Sequence, residues 1–347
     1  MRNRRRRGGS VLCGLLVSMA GGILAQGYGP IKTLASLEKV DDQPLYVMRY
    51  EGDYLLGLTA RFGINWSLYR RAERLVNPDA CTSFVAFGDE HESVFARNFD
   101  WAHPSTLLLY TDPPGGHASV AMVDMYYLGL NELQEIPWSR RVTLLAAPYA
   151  IMDGMNECGV AISQNAVPRR PMPFQRNRPA LISNQVMRVV LDRASNVDEA
   201  LDLIDDFNVV FPVIGCHLHV ADTSGQSAVV EFTGGRMVVL RNTRPWQVST
   251  NFLISEERPV GARSQCRRYS FAYRRLESVD GALAQEQAME LLAVASQWQT
   301  IWSVVYNLSS GRILVACGRD YGNVHEFHLP MLGREQSPDA RPQRKGR

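Results

Sequence analysis

The stretch Cys81-Thr82-Ser83-Phe84-Val85-Ala86-Phe87, followed after a polar break by Val94-Phe95-Ala96-Arg97-Asn98-Phe99-Asp100-Trp101, constrains this chain more than any other. Both arms are rich in Val and Phe. Gly88-Asp89-Glu90-His91-Glu92-Ser93 between them has the composition of a turn, so the pair reads as a β-hairpin. A hairpin returns Arg97 and Asp100 to the neighbourhood of Cys81. A cysteine is a nucleophile only as the thiolate, and an adjacent guanidinium favours that charged form. Arg97 is the candidate for this part. If the chain were cut before Cys81, the freed α-amine, with an ordinary pKa of about 7.7–8.0, would serve as general base for its own thiol. Asp100 would then hold the amine. Without such partners a cysteine in an apolar strand is a small buried hydrophobe.

With 347 residues, 46% of them apolar, and a net charge of +2, the chain can bury one large core or two modest ones. Much of the basic excess lies in the first seven and last fourteen residues, which leaves no case for a nucleic-acid partner. Arg2 and Arg4 to Arg7 precede an apolar run from Val11 to Leu24, and Ala25 and Gln26 offer a cleavage point. Residues 1–25 therefore have the outline of a signal peptide, and the expected location is the periplasm or the medium. Residues 26–80 form a separate piece ahead of the cysteine, with a helix expected near 66–76. Of six cysteines, Cys13 falls in the leader. Cys158, Cys216, Cys266 and Cys317 are either disulfide partners or buried thiols, and their wide spacing is not that of a zinc site.

Beyond the hairpin, 106–111 and 118–125 are expected to continue an antiparallel meander, and the run from Asp153 to Asn165 reads as a turn feeding a strand. Helices are expected over 180–193 and 196–207, the second capped by Asn196 with Glu199 in its first turn. Strands follow at 216–221, 227–232, 237–241 and up to Asn251, then helices at 267–276 and 282–298 and closing strands at 300–307, 312–317 and 324–328. Residues 333–347 are polar and expected to be disordered. Strand runs on both sides of central helices, without βαβ alternation, define an α+β chain. His217 and His219 share one strand face, but no third ligand of matching type is near in sequence, so a metal pair is not favoured.

Cys-Thr-Ser, with an arginine sixteen residues on inside Arg-Asn-Phe-Asp-Trp, resembles the start of the catalytic chain of acid ceramidases and N-acylethanolamine acid amidases. More distantly it is similar to choloylglycine hydrolases and penicillin V acylases, all N-terminal-nucleophile amide hydrolases. Gly154-Met155-Asn156-Glu157-Cys158-Gly159, Thr250-Asn251 and Arg267-Arg268-Tyr269 extend the resemblance over roughly residues 81–330. It implies a four-layer αββα sandwich of two mainly antiparallel sheets, with the hydrolase domain at 81–332. It also implies that 26–80 is a pro-segment cut off by autocleavage at Ala80–Cys81 and able to remain bound. Cys81 is then the nucleophile, and Asn165 helps orient the site. Asn251 is the oxyanion donor, a role worth about 2.7–4 kcal/mol in comparable sites. Arg268 reaches the cysteine, with Arg267 and Arg263 as competitors for that register.

The activity implied is hydrolysis of a small-molecule linear N-acyl amide. The substrate would be of bile-salt, N-acylethanolamine, ceramide, penicillin V or acyl-homoserine-lactone type, with no cofactor and no metal. Trp101, Tyr126, Tyr127 and Trp138 are candidates to line an acyl pocket. Three other readings stand beside it: an acyltransferase of the same superfamily, a non-catalytic exported binding protein of the same fold, and a papain-like enzyme pairing Cys81 with a distant histidine. A homo-oligomer is compatible with all of them.

Overall fold

The structure, a computed structural model, describes residues 28–56 and 81–333 apart from 90, 102–104, 131–135, 213 and 257–260. The expected leader, the helix near 66–76, Ala80 and all of the expected tail except Gly333 lie outside the described residues.

In chain order the elements begin with helix α1 (Gly29–Ala35) and strands β1 (Glu38–Asp41), β2 (Leu45–Tyr50), β3 (Cys81–Ala86), β4 (Val94–Asp100), β5 (Thr106–Thr111) and β6 (Ser119–Asp124). Next come β7 (Ile151–Asn156), β8 (Ala161–Val167), β9 (Ala180–Ile182), helices α2 (Ser183–Arg193) and α3 (Val197–Asp205), and β10 (Asn208–Val210). Strands β11 (Gly215–Ala221), β12 (Ser227–Thr233), β13 (Arg236–Arg241) and β14 (Trp246–Ser249) lead into helices α4 (Arg267–Ser278) and α5 (Gln285–Ala295). Strands β15 (Thr300–Asn307), β16 (Arg312–Cys317) and β17 (His325–His328) close the chain.

A nine-stranded sheet runs β1-β2-β5-β6-β7-β8-β11-β12-β13, and a six-stranded sheet runs β14-β3-β4-β15-β16-β17. Alternation along each strand sorts the side chains into three cores, and three cores need four layers. Val85, Phe95, Phe99, Leu108, Val120, Met122 and Trp302 fill the space between the sheets. On the outer face of the larger sheet Leu109, Val123 and Leu218 pack against Val189, Val190 and Ile204 of α2 and α3. On the outer face of the smaller sheet Phe84, Ala96 and Val305 meet Ala272, Leu276 and Leu292 of α4 and α5. Each buried Val, Leu, Ile, Phe or Met among them contributes about 1.5–3 kcal/mol. The order is helix, sheet, sheet, helix.

Several elements differ from their sequence expectation. The chain leaves the smaller sheet after β4 and joins the larger one at β5, so the hairpin and 106–125 are not one meander. Residues 28–56 are built into the larger sheet: β2 pairs parallel with β5, Leu45 with Thr106 through Tyr50 with Thr111. Ala180–Ile182, expected to open a helix, instead pairs in parallel with Asn208–Val210. The Asp153 run is strand rather than turn, because Gly154 serves close packing: a Cβ there would lie 2.6 Å from the Val120 carbonyl oxygen and 2.8 Å from Leu191. The turn comes at Gly159, whose φ of +80° suits glycine. Asn196 caps α3 as expected, its side chain accepting from the Glu199 N–H. All five cysteines among the described residues are free thiols.

Candidate active site

Cys81 opens β3, and β3 pairs antiparallel with β4 so that Cys81 faces Phe99 and Ser83 faces Arg97. Because side chains alternate, Cys81, Ser83, Arg97 and Phe99 all point into the space between the sheets. Arg97 is fully buried there, and Cys81 is 3% exposed. One Arg97 Nη2–H points at Cys81 Sγ at 3.6 Å, and the same nitrogen donates to the Gln164 carbonyl at 2.5 Å. Nη1 donates to the Met152 carbonyl and lies 3.2 Å from Asp153 Oδ2. Among the described residues, Arg97 is the hydrogen-bonding neighbour of the thiol; no imidazole takes that place.

The backbone of Cys81 is held from the other side of β3. Its N–H donates to Asn251 Oδ1 at 2.8 Å, and its carbonyl accepts from Arg268 Nη1. Arg268 Nη1 also donates to Thr82 Oγ1 at 3.0 Å, and Nη2 to Asn251 Oδ1 at 2.8 Å. The Asn251 amide N–H is engaged elsewhere, donating to the Ala166 carbonyl at 2.8 Å. In this state the oxygen of Asn251, not its amide nitrogen, faces the cysteine. Arg267, the neighbouring arginine, is exposed, as is Arg263.

Asp100 sits on β4 three residues from Arg97, so its side chain leaves the opposite face of the strand. Its Oδ1 accepts from Thr300 Oγ1, while Oδ2 is buried without a hydrogen-bond partner among the described residues. Burial raises its pKa, opposed by the Thr300 hydrogen bond and by the charges of Arg268 and Arg97. The hairpin thus brings both predicted partners beside β3, Arg97 on the thiol side and Asp100 on the Arg268 side.

Asn165 makes no hydrogen bond to Cys81 among the described residues. Its Oδ1 accepts from Ser83 Oγ at 3.1 Å and its Nδ2 donates to Ser249 Oγ at 3.0 Å, which ties β8 to β3 and β14. The flanking carbonyls do meet the site, Gln164 taking Arg97 and Ala166 taking Asn251. Ser249 Oγ also lies 3.0 Å from His219 Nδ1. Burial pushes His219 down to about 3, so it is neutral across ordinary pH. His217 Nδ1 lies 3.6 Å from Glu231, whose carboxylate holds the Ile254 and Ser255 amides.

Of the aromatic candidates, Trp101 is half-buried and stacks on Phe99 at 6.3 Å between centroids. Tyr127 packs against both the inter-sheet core and the α2 side. Tyr126 and Trp138 are exposed. The residues the sequence did not single out are Asp153, Trp302 and Tyr306. Trp302 Nε1 donates to Asp153 Oδ2 at 3.2 Å and Tyr306 Oη to Oδ1 at 2.6 Å, all fully buried. The available signal was an acid inside an apolar strand.

Two facing, mainly antiparallel sheets between helices, with a cysteine at the head of an inner strand, define the N-terminal-nucleophile hydrolase fold. Solved structures share it. Penicillin V acylase from Agrobacterium tumefaciens superposes with a TM-score of 0.53 at 20% identity, over 72% of this chain and 86% of that one. A conjugated bile acid hydrolase from Clostridium perfringens gives 0.53 at 14% identity, over 72% and 92%. A penicillin V acylase of Pectobacterium atrosepticum is 24% identical over 195 residues, 50% of this chain and 49% of that protein. The chain thus spans about half the length of the curated relative it matches. The model of the acyl-coenzyme A:6-aminopenicillanic acid acyl-transferase family matches residues 141–320, just over half of the chain, and the chain belongs to that family.

Proposed function

We propose that the chain is a linear-amide C–N hydrolase whose nucleophile is Cys81, made N-terminal by cleavage of the Ala80–Cys81 bond. The observation that carries this is the grip on one residue from two sides: Arg97 Nη2 at 3.6 Å from Sγ, and Asn251 and Arg268 on its main-chain N–H and carbonyl. A cysteine buried only for packing has no need of a guanidinium at its sulfur. In the proposed reaction the Cys81 thiolate bonds to the acyl carbon while the α-amine carries the thiol proton to the leaving nitrogen, and the C–N bond breaks. Water then adds to the thioester, the acid departs, and the proton returns to sulfur. Asp100 and Arg268 flank the amine in this scheme, and Asn251 gives an oxyanion donor once its amide is released from Ala166.

The names of the relatives make penicillin V and conjugated bile acids the first substrates to test, with N-acylethanolamines, ceramide and N-acyl homoserine lactones beside them. The family model is described as an acyl-transferase, which favours a second reading in which an amine instead of water accepts the acyl group. Adding free amines and analysing products separates the two. Export through the leader at 1–25 belongs to the same proposal; among the described residues no helix is long and apolar enough to cross a membrane. Intact mass with N-terminal sequencing of the purified protein is the test. A chain starting at Cys81 is the expected result, and an uncut chain that still turns over substrate would overturn the mechanism.

A further inference from the structure

Arg97 reaches Cys81 with one terminal nitrogen, and both terminal nitrogens are also committed elsewhere, while Nε has no hydrogen-bond partner among the described residues. Nη1 faces the Met152 carbonyl and Asp153 Oδ2, and Nη2 faces the Gln164 carbonyl and Cys81 Sγ. Asp153 is itself fixed by two rigid aromatic donors on β15, Trp302 Nε1 on Oδ2 and Tyr306 Oη on Oδ1. Arg97, Asp153, Trp302 and Tyr306 each have an exposure of 0%. The carboxylate is thus anchored to the smaller sheet through β15, while its own strand, β7, belongs to the larger one. A guanidinium stays charged in proteins, and in a low-dielectric interior its direction and the net field it exerts on a neighbour depend on the anion beside it. Trp302 also stacks on Phe99, the residue opposite Cys81, at 4.1 Å between centroids, so the same group bounds both the ion pair and the strand carrying the thiol.

We propose that Asp153 is a positioning residue for Cys81, acting through Arg97: it fixes which guanidinium edge meets the sulfur and cancels part of the charge that the sulfur feels. This rests on the reading of Cys81 as the nucleophile. A neutral residue at 153 leaves the Arg97 cation uncompensated next to the thiol. The thiolate is then favoured too strongly and becomes a poorer nucleophile, because intrinsic reactivity falls with pKa. Asp153→Asn separates charge from shape. Its carbonyl can still accept from Arg97 and Trp302, and its amide can donate to Tyr306, whose hydroxyl turns to accept.

The test is the rate of iodoacetamide alkylation of Cys81 across pH 5–9 in the processed protein, followed by mass of the N-terminal peptide. The thiolate displaces iodide and forms a thioether. In Asp153→Asn the midpoint of the profile is expected to move about one unit to lower pH. The plateau rate should fall about threefold, as the dependence of thiol reactivity on pKa requires. Tyr306→Phe removes one donor from the carboxylate and weakens its charged form, so it should shift the profile less and in the same direction. Either variant suffices if the other does not fold. A folded Asp153→Asn or Tyr306→Phe whose profile overlays the wild type overturns the proposal, because a residue needed only for packing would not move it. Failure of the underlying reading looks different: the wild-type chain then does not begin at Cys81.

Discussion

Asn251 Oδ1 lies 2.8 Å from the backbone nitrogen of Cys81, a residue 170 positions earlier in the chain. That bond joins the end of β14 to the start of β3 and makes the nitrogen of Cys81, not only its sulfur, a positioned group. A free α-amine at this place would find the same acceptor. Cys81→Ala should therefore keep the fold and lose both processing and turnover. A Cys81→Ala chain that still appears cut before residue 81 on intact mass would rule out self-cleavage by this thiol.

Arg268 and Arg267 are adjacent, yet only Arg268 touches the Cys81 carbonyl, Thr82 and Asn251. Arg268→Ala is expected to lower kcat/KM by about 100-fold or more, the scale on which misplacement of reacting groups acts. Arg267→Ala, at an exposed position, should stay within about twofold of wild type. Parallel kinetics on the two variants check this, and equal losses would discard the assignment.

Asp124 has a pH signature of its own. It is fully buried, with the Tyr126 N–H on Oδ1 and no hydrogen-bond partner on Oδ2 among the described residues, and burial raises it from 3.8 to about 7. Well below its unfolded value of 3.8 the carboxyl is protonated in both folded and unfolded chains and its ionisation costs nothing. Between about pH 4 and pH 7 the unfolded chain has lost its proton while the folded chain keeps it, so stability falls across that window and levels off above it. Three pK units at 1.36 kcal/mol each set the size at about 4 kcal/mol. Asp124→Asn should thus raise the denaturation midpoint at pH 8 and change it far less at pH 4, as urea titrations at the two pH values would show.

Cleavage at Ala80–Cys81 should not free the preceding segment. β2 is an interior strand of the larger sheet, and Tyr54 Oη lies 2.6 Å from both carboxylate oxygens of Asp192 on α2. The two pieces are expected to co-elute on size exclusion and to separate only in denaturant. Tyr54→Phe should cost about 1.5–3 kcal/mol, the range for a hydrogen bond to a charged group. Thermal melts of the processed protein measure it.

The hairpin, its turn, the central helices and the closing strands were legible because their apolar periodicity and turn residues are local. Gly154 misled: glycine marks turns and also places where two backbones approach, and only the packing of Val120 and Leu191 against it decides between them. Strand β2 is not legible locally because its register is set by β5, more than fifty residues later, and β1 in turn pairs with β2.

The sequence by itself determined that a cysteine would start a strand with an arginine on the returning arm, since alternation puts residues 81, 83, 97 and 99 on one face once the hairpin forms. The α+β class also followed from the order of its elements. Tertiary structure alone decided that this face of β4 is the one turned to the inter-sheet space, and that Asp100 on the other face lies toward Arg268. It also decided that Asn251 turns its oxygen to Cys81 and that Asp153 holds Arg97. These contacts link strands far apart in the chain, and local propensity carries no information about which of them will be neighbours.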